Sequence, residues 1–185
     1  MGNSIAKIDP VTGQVESFVF VGSEPGKLAL SDDGHTLYVT LEGAAAVRKF
    51  DITTQTAGQQ FALGDSTSNG PFFVNDLAVA PGQPNVVAVA RKNVTSQPNF
   101  EGVAIYENGV RRPVTTPGHT GSDFIAFSAA SSTLFGSSAG GGGIETMSVT
   151  PAGVSVVSTV SASGGGDFKF NNGFLYMHDL THPLG

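Results

Sequence analysis

The chain has 185 residues, enough for one domain with a sizeable core, and only 13% of them are charged, about half the roughly 25% of ordinary soluble proteins. A net charge of −6 argues against nucleic acid or an anionic membrane as partner. The absence of cysteine removes disulfides, thiol nucleophiles and Cys-ligated metals, and no apolar run approaches the roughly 18 residues of a membrane span. Its 25 glycines and 13 phenylalanines, with many Val, Thr and Ser, suit short strands and tight turns rather than helices.

Met1-Gly2-Asn3-Ser4 runs straight into strand-like sequence without the charged and apolar regions of an export signal. The first element expected is a strand, a turn and a strand over Ile5-Ala6-Lys7-Ile8-Asp9-Pro10-Val11-Thr12-Gly13-Gln14-Val15. The second is the clearest hairpin of the chain. Leu28-Ala29-Leu30 and Thr36-Leu37-Tyr38-Val39-Thr40 flank a polar Ser31-Asp32-Asp33-Gly34 turn.

Weaker copies of both units follow. Strand–turn–strand units are expected at Val47 to Thr56, Val103 to Val110 and Thr146 to Val154. Hairpins are expected from Asp76 to Val89, from Asp123 to Gly136 and from Asp167 to Met177. With Leu30, Val79, Phe127 and Phe170 taken as equivalent, the hairpins recur at spacings of 49, 48 and 43 residues. With Ile8, Phe50, Tyr106 and Val149 taken as equivalent, the other unit recurs at 42, 56 and 43. The long interval holds a polar insertion from Arg91 to Gly102, and a shorter one runs from Gly64 to Pro71.

Four strands in a period of roughly 40 to 50 residues match a propeller blade. Leu37-Tyr38-Val39-Thr40 after Ser31-Asp32-Asp33-Gly34, together with Ile8-Asp9-Pro10-Val11-Thr12-Gly13, resembles the YVTN-type bacterial β-propeller repeats. The third and fourth copies keep the period and lose the Tyr-Val-Thr signature. The expectation is an all-β chain, a β-propeller of four-stranded antiparallel blades with about four blade equivalents. It forms a single domain over residues 1–185, with repeats at about 3–43, 44–102, 103–143 and 144–185.

The chain begins with an outer strand pair and ends with an inner one, which makes three whole blades and two halves. A closed four-blade ring, part of a larger propeller and half of a ring completed by a second copy all satisfy that count. The abrupt start and the ending Thr181-His182-Pro183-Leu184-Gly185 favour part of a larger propeller. Open blade edges would drive self-association.

The sharpest functional expectation is positional. Lys27, Asp76, Asp123 and Asp167 precede the innermost strand of each repeat and would converge at the mouth of a central channel. Three carboxylates there suit a hard cation such as Ca²⁺, and the resemblance to lactonase-type propellers implies active groups at the axis. The competing reading gives each Asp a loop-capping job.

Other motifs carry less. Gly136-Ser137-Ser138-Ala139-Gly140 fits the G-x-S-x-G pattern, but the glycines that follow cannot start the helix a nucleophile elbow needs. His178, Asp179 and His182 have ligand types beside Pro183, where a helix is not expected. His35 and His119 lie in turns, Arg111-Arg112 reads as a solvated loop, and Asn93-Val94-Thr95 is a glycosylation sequon in form. The phenylalanines, among them Phe18, Phe20, Phe61, Phe127 and Phe170, are expected to pack between blades.

The functional expectation is a non-enzymatic binding or assembly module of a secreted or cell-envelope bacterial protein, placed outside the cytoplasm by the resemblance. Its ligand is a protein, a small molecule or a glycan, and no cofactor is required. The alternative is a lactonase-type hydrolase with an axial carboxylate and Ca²⁺ site.

Overall fold

The computed structural model describes residues 2–95, 99–118, 121–138, 143–162 and 166–177. In chain order the strands are β1 (Ser4–Ile8), β2 (Val15–Phe20), β3 (Pro25–Leu30), β4 (Thr36–Leu41), β5 (Ala46–Asp51) and β6 (Thr56–Ala62). A small hairpin follows, β7 (Asp65–Ser66) and β8 (Gly70–Pro71). Then come β9 (Phe73–Ala80), β10 (Gln83–Lys92), β11 (Phe100–Glu107), β12 (Val110–Arg111), β13 (Phe124–Phe127) and β14 (Thr133–Ser137). The last four are β15 (Ile144–Thr150), β16 (Gly153–Val160), β17 (Phe168–Asn171) and β18 (Phe174–Met177).

Three antiparallel four-stranded sheets form in strict chain order, β3 to β6, β9 to β12 and β13 to β16. Strands β1–β2 and β17–β18 stand as separate two-stranded sheets at the two ends. The expected count of three wholes and two halves is therefore what the described residues form, and the two halves are not joined. Each sheet boundary falls half a repeat away from the sequence period, because the period begins with the outer pair of the preceding sheet.

Turn chemistry explains the hairpins. Asp9 Oδ1 accepts the Val11 amide at 2.8 Å, and Asp51 Oδ1 accepts the Thr54 amide at 2.8 Å. These bonds hold both carboxyls below the usual range. In Ser31-Asp32-Asp33-Gly34, Asp33 closes its own turn by accepting from the Ser31 hydroxyl at 2.6 Å and the His35 amide at 2.9 Å. Asp32 reaches outward and accepts the Gly82 amide at 2.8 Å, pinning the matching turn of the next sheet. Gln83 repeats the link one sheet on, donating to Ser131 Oγ at 2.7 Å.

The sheets stack face to face with apolar seams between them. Val21, Val39 and Phe50, with Ile5 and Leu37 packed against them, fill the seam between β1–β2 and the first complete sheet. Tyr38, Phe61, Val87 and Tyr106 fill the next, and Ala88, Ile105, Phe127, Leu134 and Met147 the one after it. The middle sheet is covered on both faces, so β10 reads as the continuous apolar run Val86-Val87-Ala88-Val89-Ala90 rather than an alternation.

Register tests the equivalences directly. Leu30 pairs with Leu37, Val79 with Val87, Phe127 with Leu134 and Phe170 with Leu175, so the four hairpin positions are structurally the same. In the outer unit, Phe50 faces Leu37 and Tyr106 faces Val87, but Leu134 is opposite Met147, not Val149. Met147 lies beside an irregularity in the β15–β16 register.

Both insertions are more ordered than their composition suggests. The Arg91 to Gly102 segment extends β10 and β11, with Arg91 and Asn93 buried; residues 96–98 lie outside the described residues. The Gly64 to Pro71 segment contributes β7–β8. No helix among the described residues is long and apolar enough to cross a membrane.

Candidate functional site

The innermost strands β3, β9, β13 and β17 lie side by side and together line one concave groove of about 440 Å³. That is within the size range of small-ligand sites. Leu28, Leu30, Pro81, Phe127 and Phe170 supply an apolar floor, while Asp76 and Lys169 add charge.

Three of the four predicted mouth positions obey the register and one does not. Counting three residues back from Leu30, Val79, Phe127 and Phe170 gives Lys27, Asp76, Phe124 and Asp167. Asp123 stands one residue before β13, so Phe124 takes the place expected for it. Strand side chains alternate between faces, and a one-residue offset changes the face.

The side chains at these positions link neighbouring sheets. Lys27 Nζ lies 3.3 Å from Asp76 Oδ1 and 5.5 Å from the centre of the Phe124 ring, touching the next two sheets at once. The other Asp76 oxygen accepts the backbone N–H of Ile125 at 2.9 Å. One carboxylate thus bridges a lysine on the preceding sheet and an amide on the following one. Asn75 Nδ2 donates to the Asp123 carbonyl at 2.9 Å and to its carboxylate at 3.2 Å. Asp167 pairs with Lys169 at 3.0 Å on an exposed edge.

Chemically this is a mixed-charge rim over an apolar floor. Among the described residues, no group of three or more His, Cys, Asp or Glu is arranged to hold a metal ion. Asn75, Phe124 and Lys169 are the contributors that residue counting missed. Phe124 was recoverable from the Leu30 register; Asn75 and Lys169 carried no signal, being polar residues adjacent to or within strands.

The remaining motifs resolve as follows. Ser138 follows β14 and donates to Asp123 Oδ2 at 3.4 Å, while Ala139 and Gly140 lie outside the described residues. His35 Nδ1 meets Thr53 Oγ1 at 2.9 Å. Arg112 is not a solvated loop residue: it bonds Glu107 at 3.0 Å and the Thr150 carbonyl at 2.8 Å. Asn93 is fully buried, its amide donating to the Asn69 carbonyl at 2.8 Å. His119, His178, Asp179 and His182 lie outside the described residues. Phe61 and Phe127 pack between sheets as expected, whereas Phe18 and Phe20 on β2 are exposed because, among the described residues, their half sheet has no neighbour on that side.

No family model matches the chain. No curated protein sequence matches it. Solved structures do. Hydrazine synthase of Kuenenia stuttgartiensis is similar at 19% identity and TM-score 0.58, over 86% of this chain and 45% of that one. The dihydro-heme d1 dehydrogenase NirN is similar at 22% identity and TM-score 0.61, over 88% of this chain and 33% of that one. Both are β-propeller proteins. The chain has a β-propeller fold. It spans less than half the length of either neighbour. Its complete sheets are blades, its strands β3, β9, β13 and β17 are the axial ones, and its groove is the axial surface of an arc of blades.

Proposed function

We propose that this chain is a non-enzymatic β-propeller binding module of the YVTN type, from a secreted or cell-envelope bacterial protein. It takes a small-molecule, glycan or protein ligand in the axial groove. The observation that carries this reading is that all four axial strands line one cavity with an apolar floor and two charged residues, Asp76 and Lys169, which pair with Lys27 and Asp167 beside it. A rim of both signs over apolar surface suits an amphipathic ligand and fixes its orientation. Placement outside the cytoplasm follows from the repeat resemblance.

The hydrolase alternative asks the three carboxylates to share one cation. Both oxygens of Asp76 already serve neighbouring blades, and Asp123 is bonded by Asn75, which supports the binding reading. A Ca²⁺ titration followed by thermal melting separates the two. The binding module shows no shift between millimolar Ca²⁺ and chelator, whereas a rise of several degrees that Asp76→Asn abolishes establishes an axial cation site. Saturation-transfer NMR with a panel of oligosaccharides and small amphipathic compounds tests the groove itself. Binders are expected to lose their signal with Leu28→Asp and with Lys169→Glu. Binders indifferent to both variants overturn the assignment.

A further inference from the structure

We infer that two copies of this chain close head to tail, β18 of each copy adding to β1 of the other, to form an eight-bladed ring. This goes beyond the ligand reading and does not depend on it.

The argument starts from a contact that recurs along the arc. The residue after each position paired with the Leu30 series is Tyr38, Ala88, Phe135 or Tyr176. The first three lie in the seam with the next blade's member of the Leu30 series. Tyr38 shares a seam cluster with Val79, Ala88 shares one with Phe127, and Phe135 stacks on Phe170 with ring centres 5.7 Å apart. The series ends with Tyr176, which is 59% exposed, and begins with Leu30, which is 55% exposed. Each is the partner the other lacks, and they lie at opposite ends of the arc.

The strand inventory repeats the pattern. Among the described residues β1 and β18 each pair on one side only. The half sheet β1–β2 is an outer pair, as its match to β5–β6 shows, and β17–β18 is an inner pair. Joined in the register of the complete blades, Leu175 lies opposite Ile8 and Tyr176 opposite Lys7. The first complete blade has the same cross-strand pairing, Leu37 with Phe50 and Tyr38 with Lys49. A cavity of about 450 Å³ lined by Ile5, Leu37 and Phe50 flanks β1, on the side where an incoming inner hairpin would pack.

The blade faces agree as well. Phe18 and Phe20 on β2 are 70% and 65% exposed, on the face that turns away from the first complete blade. Val157 and Val160, on the last strand of the third complete blade, are 66% and 57% exposed. Ring closure brings these two surfaces together. Large aromatic side chains carry roughly 150–250 Å² each, so these residues with Ile8, Leu30, Phe174 and Tyr176 leave on the order of 900 Å² to bury per seam. Two seams reach the roughly 1,600 Å² of a stable interface.

Stoichiometry follows from geometry. Each copy brings three complete blades, and each seam makes one composite blade, so a pair has eight, at the top of the roughly four-to-eight range of propellers. Three copies would exceed it. Among the described residues of one chain the half sheets are not hydrogen-bonded to each other.

The native chain lacks cysteine, so introduced thiols have no background. Copies carrying Ile8→Cys mixed with copies carrying Leu175→Cys are expected to form a disulfide-linked pair on mild oxidation. Light scattering of the unmodified chain is expected to give twice the 18.9 kDa chain mass. Tyr176→Asp and Leu30→Asp are each expected to return the mass to that of one chain with unchanged far-UV circular dichroism. Val11→Asp, in the exposed β1–β2 turn, leaves the pair intact. A single-chain mass at 100 µM overturns the inference. So does a dimer without the Ile8–Leu175 cross-link, or a doubly substituted chain that cross-links only to itself.

Discussion

Tyr38 donates its hydroxyl proton to the carbonyl oxygen of Pro84 at 2.9 Å, across the seam between the first and second complete blades. Tyr106 makes the matching gesture backwards, donating to the Leu63 carbonyl at 2.7 Å. Both rings flank Phe61, Tyr38 edge-on at 6.5 Å and Tyr106 tilted at 5.3 Å. The seam is thus an aromatic layer whose two polar tips each find a main-chain acceptor.

Burial pushes the Tyr38 hydroxyl up to about 12 and raises that of Tyr106 as well. Folding therefore favours the protonated phenols. Their contribution is complete below the unfolded value of about 10 and declines as pH rises from there through the folded value. Urea denaturation across pH 8 to 12 is expected to show stability falling above pH 10. Tyr38→Phe is expected to flatten that fall without abolishing it, because Tyr106 still titrates, and to cost about 1 kcal/mol at pH 8 for the lost hydrogen bond.

Arg91 is a buried cation at the far end of β10. It donates to the Glu101 carbonyl at 2.9 Å and lies 4.6 Å from the centre of the Phe72 ring. Burial lowers its proton affinity, yet an arginine stays charged, so the site depends on those partners. Arg91→Ala is expected to destabilise by about 2–4 kcal/mol in urea titrations. Arg91→Lys is expected to recover only part, since an ammonium lacks the planar fork that reaches a carbonyl while stacking on a ring.

Gly153 ties the second blade to the third. It bridges Val114, whose carbonyl accepts the Val154 amide at 3.1 Å, and its φ is +139°. A methyl group there would collide with that carbonyl. Gly153→Ala is expected to cost about 2–4 kcal/mol by strain and loss of this seam. Gly13→Ala, in an open turn at φ +69°, is expected to cost less, and paired thermal melts give the comparison.

Much of the arc was legible from residues alone. Leu30, Val79, Phe127 and Phe170 sit at one register position because apolar alternation and tight turns both constrain them. Asp123 falls out of line because it is four residues before Phe127 rather than three, one place off the alternation that β13 obeys. Val149 gave way to Met147, two residues earlier on the same buried face of β15, so alternation alone does not choose between them. Phe18 and Phe20 look like seam residues and are exposed, because among the described residues no sheet covers the face of β1–β2 that turns away from the first complete blade. Of the groove's charged residues Asp76 was readable and Lys169 was not, and neither was the choice of partner. Lys27 meets Asp76 across a gap of 49 residues, which only stacking of successive blades creates.

Strand order in the three complete blades follows chain order without exception, and that governs how the molecule opens. Each blade can zip from adjacent hairpins, with little loop to close before contacts form. The middle blade, sandwiched on both faces, opens only when the whole arc does. The end hairpins each have one covered face, so their amides exchange with solvent through local opening long before those of Val87 to Ala90. Protection against exchange therefore grades from the middle of the chain outward.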